Sequence, residues 1–545
     1  MEKLFIQLSA CTELIEKGST GNICWLNKFC AAFHKFASDF KLYLPELAPK
    51  YDLEGNIKIH VETIFLCFTQ VLTCITQLER TINIEENLGH GAHLLVTRTH
   101  FLERIDWCVR RLHASLYQLY EEASAATEVK LEDLSFVELL DLSLDKLESY
   151  NEIVPESISD NEDDTNSCRD LNEVQNCGAH QLYTEVNHIV KHALAFANVA
   201  LASDKKALSS ICETVLDECT AFERNFDEHN PGERKLEALS LQRALYSLET
   251  YLNEALLRLI FTSFFDIEKV SVIRLKNILQ LCEASKTSVD KLISDFDVNM
   301  DRIQQIGVIA IAFTEDVKTK TIVRSCLASL ESLDSCILPA FQLQTTTSGI
   351  QHADILEHHF KEELVLFRNI IHEIIDSRAL MSSYLDILAE SIHSAEKLYP
   401  KDHLLNIAQM GNILHQHFQL KVNYQALGED GKRLHQDFVL ILRECQAVLE
   451  LSIHVDPKRI IKRFKILCSV LAKLRDAFGI IVNQGSACAT ENSLTMSKNF
   501  SSRHRSFTKP RKNDIVSNDC GLITSDSGQD NDLISFQLTE ILKIS

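Results

Sequence analysis

Apolar residues recur at intervals of three and four along most of this sequence, the spacing that places them on one face of an α-helix. One such stripe follows Pro457 and consists of Ile460, Phe464, Leu467, Leu471, Leu474, Phe478 and Ile481. Similar stripes follow Ile57 and Asn230. Glycine (16) and proline (8) are scarce among 545 residues, so the chain has few of the turn residues that a sheet protein needs. The sequence therefore predicts long helices joined by short connections, without strands of useful length.

A helix with one apolar face buries that face against other helices. We therefore expect an all-α fold, an elongated array of antiparallel helical bundles with a disordered basic C-terminal tail. Breaks in the apolar pattern suggest five segments. They are an N-terminal bundle (1–156), an acidic disordered linker (157–178), a middle bundle (179–344), a C-terminal bundle (350–484) and a mostly disordered tail that is basic and then acidic (485–545).

The cysteines and the N-terminus indicate a reducing compartment. The 17 cysteines have irregular spacings and no Cys-x-x-Cys pair, and many lie among apolar residues, as Cys67 and Cys212 do. They are predicted to be small buried hydrophobic residues. The start at Met1 is unlike a secretion signal, and the longest uncharged apolar run, Thr63 to Leu78, is too short and polar to span a bilayer. We expect a cytoplasmic protein.

The sequence contains no catalytic signature that we recognise, whether a phosphate-binding loop, a nucleophile elbow or a zinc-protease motif. Two acid-x-x-His pairs, Glu185/His188 and Glu390/His393, are as frequent as chance predicts. Clustered histidines are interpreted as solvent-facing or capping residues, namely His352, His358, His359, His415 and His417. We expect no catalytic residues, no metal and no cofactor, and hence a protein that is not an enzyme.

One region reverses the sign of the charge. The whole chain has 55 Lys and Arg against 77 Asp and Glu, a net charge of -22, but Pro457–Lys512 has 13 basic residues opposed by Asp476 and Glu491 alone. On the helix after Pro457, Lys458, Lys462 and Lys465 follow each other at helical spacing, with Arg459 and Arg463 beside them. These residues either contact a polyanionic surface or form the solvated face of a packed helix.

A second basic cluster, here called the basic arm, lies in the predicted tail. It contains Phe500 and Phe507 among its cations, which include Arg503, Arg505, Lys509, Arg511 and Lys512. This composition is typical of segments that contact a membrane surface or a filament. Ser506 follows Arg503 and Arg505, as basophilic kinases prefer, and its phosphorylation would weaken anion binding. Nucleic acid is not expected as a partner, because the rest of the chain is strongly acidic and no recognised motif is present.

The sequence resembles a known family at its opening, Met1 to Cys11 (MEKLFIQLSAC), and at Trp107 to Leu112 (WCVRRL). Both segments, and the length, are similar to the Serendipity-alpha proteins of insect embryos. The succession of helical bundles with a basic C-terminal end resembles the wider vinculin/α-catenin superfamily. The resemblance implies an actin-organising protein at the cytoplasmic side of the plasma membrane, on the furrows that invaginate during cellularization of a syncytial embryo. It also implies that the actin-binding bundle is the C-terminal one (350–484).

Two functions are therefore considered. The first is a non-catalytic scaffold whose partners are F-actin and the anionic inner leaflet of the plasma membrane, with other cortical or junctional proteins bound through the N-terminal bundle. The second is a helical adaptor that binds only protein partners in a junctional or cortical complex, without direct contact with actin or lipid.

Overall fold

The structure is a computed structural model, and no strand occurs among the residues it describes. Those residues are 2–43, 55–88, 94–121, 131–151, 167–224, 231–269, 272–281, 286–314, 316–342, 346–397, 401–450, 456–483 and 507. The predicted all-α class is confirmed for the described residues.

The described ranges contain 17 α-helices. In chain order they are α1 Glu2–Ile15, α2 Ile23–Lys41, α3 Gly55–Leu88, α4 Leu95–Glu121, α5 Phe136–Asn151, α6 Ser167–Val199, α7 Ala202–Arg224, α8 Pro231–Lys269, α9 Val272–Leu281, α10 Lys286–Phe313, α11 Val317–Gln342, α12 Thr347–Ile374, α13 Ser377–Lys397, α14 Lys401–Gln419, α15 Lys421–Gln425, α16 Gly428–Glu450 and α17 Pro457–Asn483. Short 3₁₀ turns lie at Gly18–Thr20 and Leu131–Asp133.

Helix starts are fixed by side chains that accept hydrogen bonds from the first free backbone N–H groups. The Asn22 side chain accepts from the Trp25 N–H at 3.2 Å, and the Thr346 hydroxyl accepts from the Gly349 N–H at 3.1 Å. The helix α12 begins at Thr347, directly after this capping threonine. Local sequence chemistry thus sets where these helices begin.

The first four helices pack around a shared apolar core, in which α3 pairs with α4 along its length and α1 pairs with α2. The helix α3 is long and apolar enough to cross a membrane by those two criteria, at Ile57–Leu88. Its apolar side chains, however, are buried between α2, α4 and α11. It is therefore the core helix of a packed bundle.

The next helices form a second packed group, in which α5 lies against α6 and α8, and α7 lies between α6 and α8. The predicted segments had placed residues 136–151, the helix α5, in the first bundle. The predicted disordered linker (157–178) also differs from the structure, because α6 begins at Ser167. Residues 157–166 lie outside the described residues. Elsewhere the five-segment division stays a prediction.

A long helix connects this group to the last one. With 39 residues, α8 extends over roughly 58 Å at 1.5 Å per residue. It contacts α5, α7 and α10, and it also lies against α13 and α14. The last group is completed by α16 and α17, which pack against α14 and α13 respectively and against each other.

The hairpin α11–α12 packs back on α3 and α4 through polar as well as apolar contacts. The Gln70 amide donates to the Ser325 carbonyl at 2.8 Å and to the Ser329 hydroxyl at 3.0 Å, and the Arg104 Nε donates to the Gln70 carbonyl oxygen at 2.8 Å. Burial raises the pKa of the nearby Glu363 carboxyl to about 7, although hydrogen bonds from Cys326 and Ser329 oppose that rise. We call these contacts the polar seam.

The prediction of buried cysteines is confirmed for Cys67, Cys74, Cys212 and Cys219, but among the described residues it is wrong for Cys24, which is exposed. Burial raises the pKa of the Cys212 thiol to about 11 and of the Cys219 thiol to about 12, so both stay protonated at neutral pH.

The interpretation of the histidines is wrong in part. His359 and His417 are buried in the core, whereas His358 is exposed. His359 lies on the inward side of α12 beside Phe101, and burial lowers its pKa to about 3. Clustering in the sequence did not show which of two adjacent histidines faces inward.

Candidate functional site

The helix that carries the first predicted cations starts at a well-defined cap. The backbone N–H of Lys458 donates to the Asp456 carboxylate at 3.0 Å, and Pro457 occupies the first helical position. A proline there loses no helical hydrogen bond, and an acidic cap interacts favourably with the positive end of the helix dipole. The direction of α17 is thus set at its first turn.

One face of α17 is packed against α13 and α16. The predicted stripe is confirmed, because Ile460, Phe464, Leu467, Leu471 and Leu474 are all buried. Burying these side chains fixes the rotation of the helix about its axis. The opposite face must consequently point to solvent.

That solvent-facing side carries a row of four lysines, here called the basic ridge: Lys458, Lys462, Lys465 and Lys473. All four are exposed, and the row extends for about 22 Å along the helix at 1.5 Å per residue. The sequence predicted the first three. Lys473 was missed, although it lies two further turns along the same face and could have been found by extending the helical spacing.

The other predicted cations of α17 lie off this row. Arg459 is exposed beside Lys458, but Arg463 is half-buried and faces α16, where its charge partly offsets the rise in the Cys445 thiol pKa that burial causes. Arg463 is therefore placed to stabilise the helix pair rather than to meet a partner.

One lysine of the basic ridge already has an acidic neighbour. The Lys465 Nζ lies 2.7 Å from the Glu396 Oε1 of α13, and this hydrogen bond holds the pKa of the Glu396 carboxyl below its usual range. Both side chains are about half exposed, so water screens the pair and a stronger anion can replace it. Within the described ranges, Lys458, Lys462 and Lys473 form no ion pair.

The cations of the basic arm, Arg503, Arg505, Lys509, Arg511 and Lys512, lie outside the described residues, as does Ser506. The structure does describe Phe507, and it lies buried against the body of the protein. Of the basic arm the structure thus gives the position of Phe507, whereas it gives all four lysines of the basic ridge.

A second exposed feature lies on the N-terminal bundle. On α4, Trp107 and Tyr117 are exposed by 54% and 45%, and the Arg111 guanidinium lies over the Trp107 ring at 5.5 Å from its centroid. Large aromatic side chains with an adjacent arginine are enriched where proteins bind one another.

In the part of the chain that the structure describes, no group of three His, Cys, Asp or Glu side chains could hold a metal ion. Of the two acid-x-x-His pairs, Glu185 is buried and bonded to Lys146, whereas Glu390 and His393 are exposed on α13. The two pairs lie on different helices, α6 and α13.

Comparison with known proteins identifies the family. Residues 1–545 match the family described as Serendipity locus alpha protein (SRY-A). The chain is 66% identical over 551 residues to the Serendipity locus protein alpha of Drosophila virilis, with all of both chains covered. This chain belongs to the Serendipity locus alpha protein family. A second relative of the same name, from Drosophila pseudoobscura pseudoobscura, is 55% identical over 570 residues, again covering both chains completely.

The fold of this Serendipity-alpha family member is similar to that of a solved vinculin homolog from a sponge. The TM-score is 0.51 and the identity 11%, over 91% of this chain and 60% of the sponge protein. At that identity the likeness concerns the fold alone. Both predicted resemblances, to the Serendipity-alpha family and to the vinculin-like architecture, are thereby confirmed.

Proposed function

We propose that this Serendipity-alpha family member is a non-catalytic scaffold that organises cortical actin filaments at the cytoplasmic face of the plasma membrane during cellularization. Family membership and the vinculin-like helical fold support a structural role. The observation that carries the actin part is the basic ridge, four exposed lysines aligned along one side of α17 in a chain of net charge -22. A local row of cations attracts an acidic filament that the remaining surface repels.

The basic arm is proposed as the membrane contact. Each cation close to an anionic leaflet contributes about 1 kcal/mol, so five of them hold a peripheral protein at a membrane. Phosphorylation of Ser506, at the centre of the arm, would add up to about two negative charges and weaken that contact.

The test of the actin contact uses the full chain with the four ridge lysines reversed, K458E/K462E/K465E/K473E. Arg463 is left unchanged because it is half-buried and faces α16. A matched control reverses four exposed lysines on α2, α6 and α7, K28E/K191E/K205E/K206E, so that the net charge changes equally. Co-sedimentation with actin filaments should be lost in the ridge variant and kept in the control.

Equal losses in the two variants would mean that net charge, not the basic ridge, governs binding. If the ridge variant sediments as the unchanged protein does, and vesicle binding is also unaltered by reversing the arm cations, the adaptor function replaces the proposed one.

The exposed aromatic residues of α4 favour a protein partner for the N-terminal bundle as a second activity. Burying Trp107 and Tyr117 in an interface would remove two large apolar side chains from water. In that case W107A/Y117A should weaken recruitment of the tagged protein to the embryonic cortex while leaving actin co-sedimentation unchanged. Unchanged recruitment would contradict this second contact.

A further inference from the structure

The basic arm is predicted to be exposed and disordered, but one of its residues lies in the core. The side chain of Phe507 is 0% exposed, although it is separated from the end of α17 by residues 484–506. For Phe507 the expectation of an exposed, disordered tail is therefore wrong. A phenyl ring is a large apolar group, so its complete burial indicates a specific contact.

Two contacts hold Phe507. Its ring lies against the Phe313 ring at the end of α10, with centroids 5.9 Å apart and planes tilted by 53°. Its carbonyl accepts a hydrogen bond of 2.8 Å from the backbone N–H of Asp376, at the corner between α12 and α13. A side-chain pocket combined with a main-chain hydrogen bond is how proteins bind extended peptides.

The receiving side of this contact is rigid. The Asp376 carboxylate accepts from the Ala379 N–H at 2.7 Å and so caps α13, while the Ile375 N–H donates to the Ile371 carbonyl at the end of α12. These bonds lie within the corner itself and do not involve Phe507. A buried N–H needs an acceptor, and the Phe507 carbonyl supplies it.

We propose that the end of α10 and the α12–α13 corner form a docking site for the basic arm, which binds Phe507, and that an anionic bilayer competes with this site for the arm. The site consists of Phe313 and Asp376, the two residues that contact Phe507. The corner also carries Glu373, whose side chain is exposed. Its negative charge is opposite to that of the cations of the arm.

Docking places limits on the arm. Arg505 and Lys509 are each two residues from Phe507, and two residues of extended chain reach about 7 Å. In the proposed docked state this chain length limits how far the two cations can reach toward an anionic surface. Docking costs entropy, because it fixes both ends of the chain between α17 and Phe507. The ring contact and the hydrogen bond of Phe507 must offset that cost, so the arm can be released.

Docking itself is tested by limited trypsin digestion of the full chain. Trypsin must bind several residues around the bond it cuts, so a docked Phe507 protects the Arg505–Ser506 bond. In F507A and in F313A this cut should become severalfold faster relative to the cut after Lys498, and in the control F500A it should not. F313A matters because it leaves the arm sequence unchanged, and Phe313 is a half-buried helix-end residue whose loss should spare the fold.

A second measurement keeps the test independent of cleavage preferences. A fluorescent peptide with the sequence of residues 500–512 should bind the full-length F507A protein, whose site is vacant, and bind the unaltered protein severalfold more weakly. The same peptide with alanine in place of Phe507 should not bind either protein. Unchanged cutting in F313A together with no peptide binding would overturn the docking site.

The bilayer part rests on the proposed membrane contact and is tested separately. Phosphatidylcholine vesicles containing about a third phosphatidylserine should bind F313A severalfold more tightly than the unaltered protein, because the arm is free. If docking is found but F313A and the unaltered protein bind vesicles equally, competition is refuted. If docking is found and no variant binds vesicles, the membrane contact of the proposed function fails and the docking site stands.

Discussion

The molecule uses its charged side chains in two opposite ways. Among the first helices one ion pair is buried: Arg98 and Glu85 are exposed by only 2% and 5%, and the Arg98 guanidinium also donates to the carbonyl of Gly18 at 3.0 Å and to that of Gly21. On α17 the charges lie outside, on the basic ridge, and the buried face is wholly apolar.

The difference follows from desolvation. A charge taken out of water is costly unless its partner and its remaining hydrogen bonds compensate. The Arg98–Glu85 pair accordingly bonds to three backbone groups around it, the Leu94 N–H and the carbonyls of Gly18 and Gly21. The lysines of the basic ridge keep their water and contribute little to folding. Buried charges therefore specify which helices meet, and the exposed ones are free to meet a partner.

The largest expected effect is that of R98A, which leaves Glu85 buried without its countercharge. We expect a loss of about 3–5 kcal/mol in the free energy of unfolding, measured by urea denaturation with circular dichroism. The control is R110A on the same helix, whose exposed ion pair with Asp106 should be worth less than about 1 kcal/mol. If R98A and R110A lowered the free energy of unfolding equally, the contrast between buried and exposed charges would be refuted.

The next largest effect on the free energy of unfolding is expected on the apolar side of α17. L467A removes a fully buried side chain between α13 and α16 and should cost about 2–5 kcal/mol, since it leaves a cavity. K462A, on the exposed side of the same helix, should leave the urea midpoint unchanged. A large loss in K462A would show that the basic ridge is part of the fold rather than a free surface.

Two adjacent histidines on α12 extend the comparison to pH. Burial lowers the pKa of His359 to about 3, so the unfolded chain takes up its proton near pH 6.5 while the folded protein does not. Stability should thus fall as the pH drops from about 6.5, by about 1–2 kcal/mol at pH 5 from this residue.

Melting temperatures at pH 5 and pH 7 check this effect. H359Q should raise the melting temperature at pH 5 relative to that at pH 7, and H358Q, which alters the exposed neighbour, should not. Glu363 acts with the opposite sign, because its raised pKa of about 7 means that its contribution is present at low pH and is lost as the pH rises through 7. If H358Q changed the melting temperature at pH 5 as much as H359Q does, the burial of His359 would not be the cause of the pH effect.

The smallest effect on folding is expected from the ridge variant K458E/K462E/K465E/K473E. Since these side chains are exposed and water screens the Lys465–Glu396 pair, the free energy of unfolding should change by less than about 1 kcal/mol, although actin binding is lost. A clear shift of the midpoint would mean that the loss of binding reflects unfolding, and it would remove the evidence for a contact.

The sequence predicted much of α17. The intervals between Ile460, Phe464 and Leu467 gave the buried face correctly, and the row of lysines then had to lie opposite, as it does. The same spacing extended by two turns would have included Lys473. These features are local, because the 3.6-residue period of one helix decides them without reference to any other helix.

Features that depend on two distant segments could not be predicted. Nothing in the sequence around Gln70 indicates that its partners are Ser325 and Ser329, and nothing around Phe507 indicates Phe313. The packing of α5 against α6 and α8 could not be predicted for the same reason. Such pairings depend on which apolar faces fit together, and many helices of this chain have similar faces.

By itself, then, the sequence determined that the chain is all-helical, where several helices begin and which side of α17 is charged. Only the tertiary structure decided that α11–α12 packs on α3–α4, that His359 is buried beside an exposed His358, and that Phe507 returns to the body. The physical reason is range: helical periodicity and capping act within a few residues, whereas burial depends on neighbours brought from hundreds of residues away.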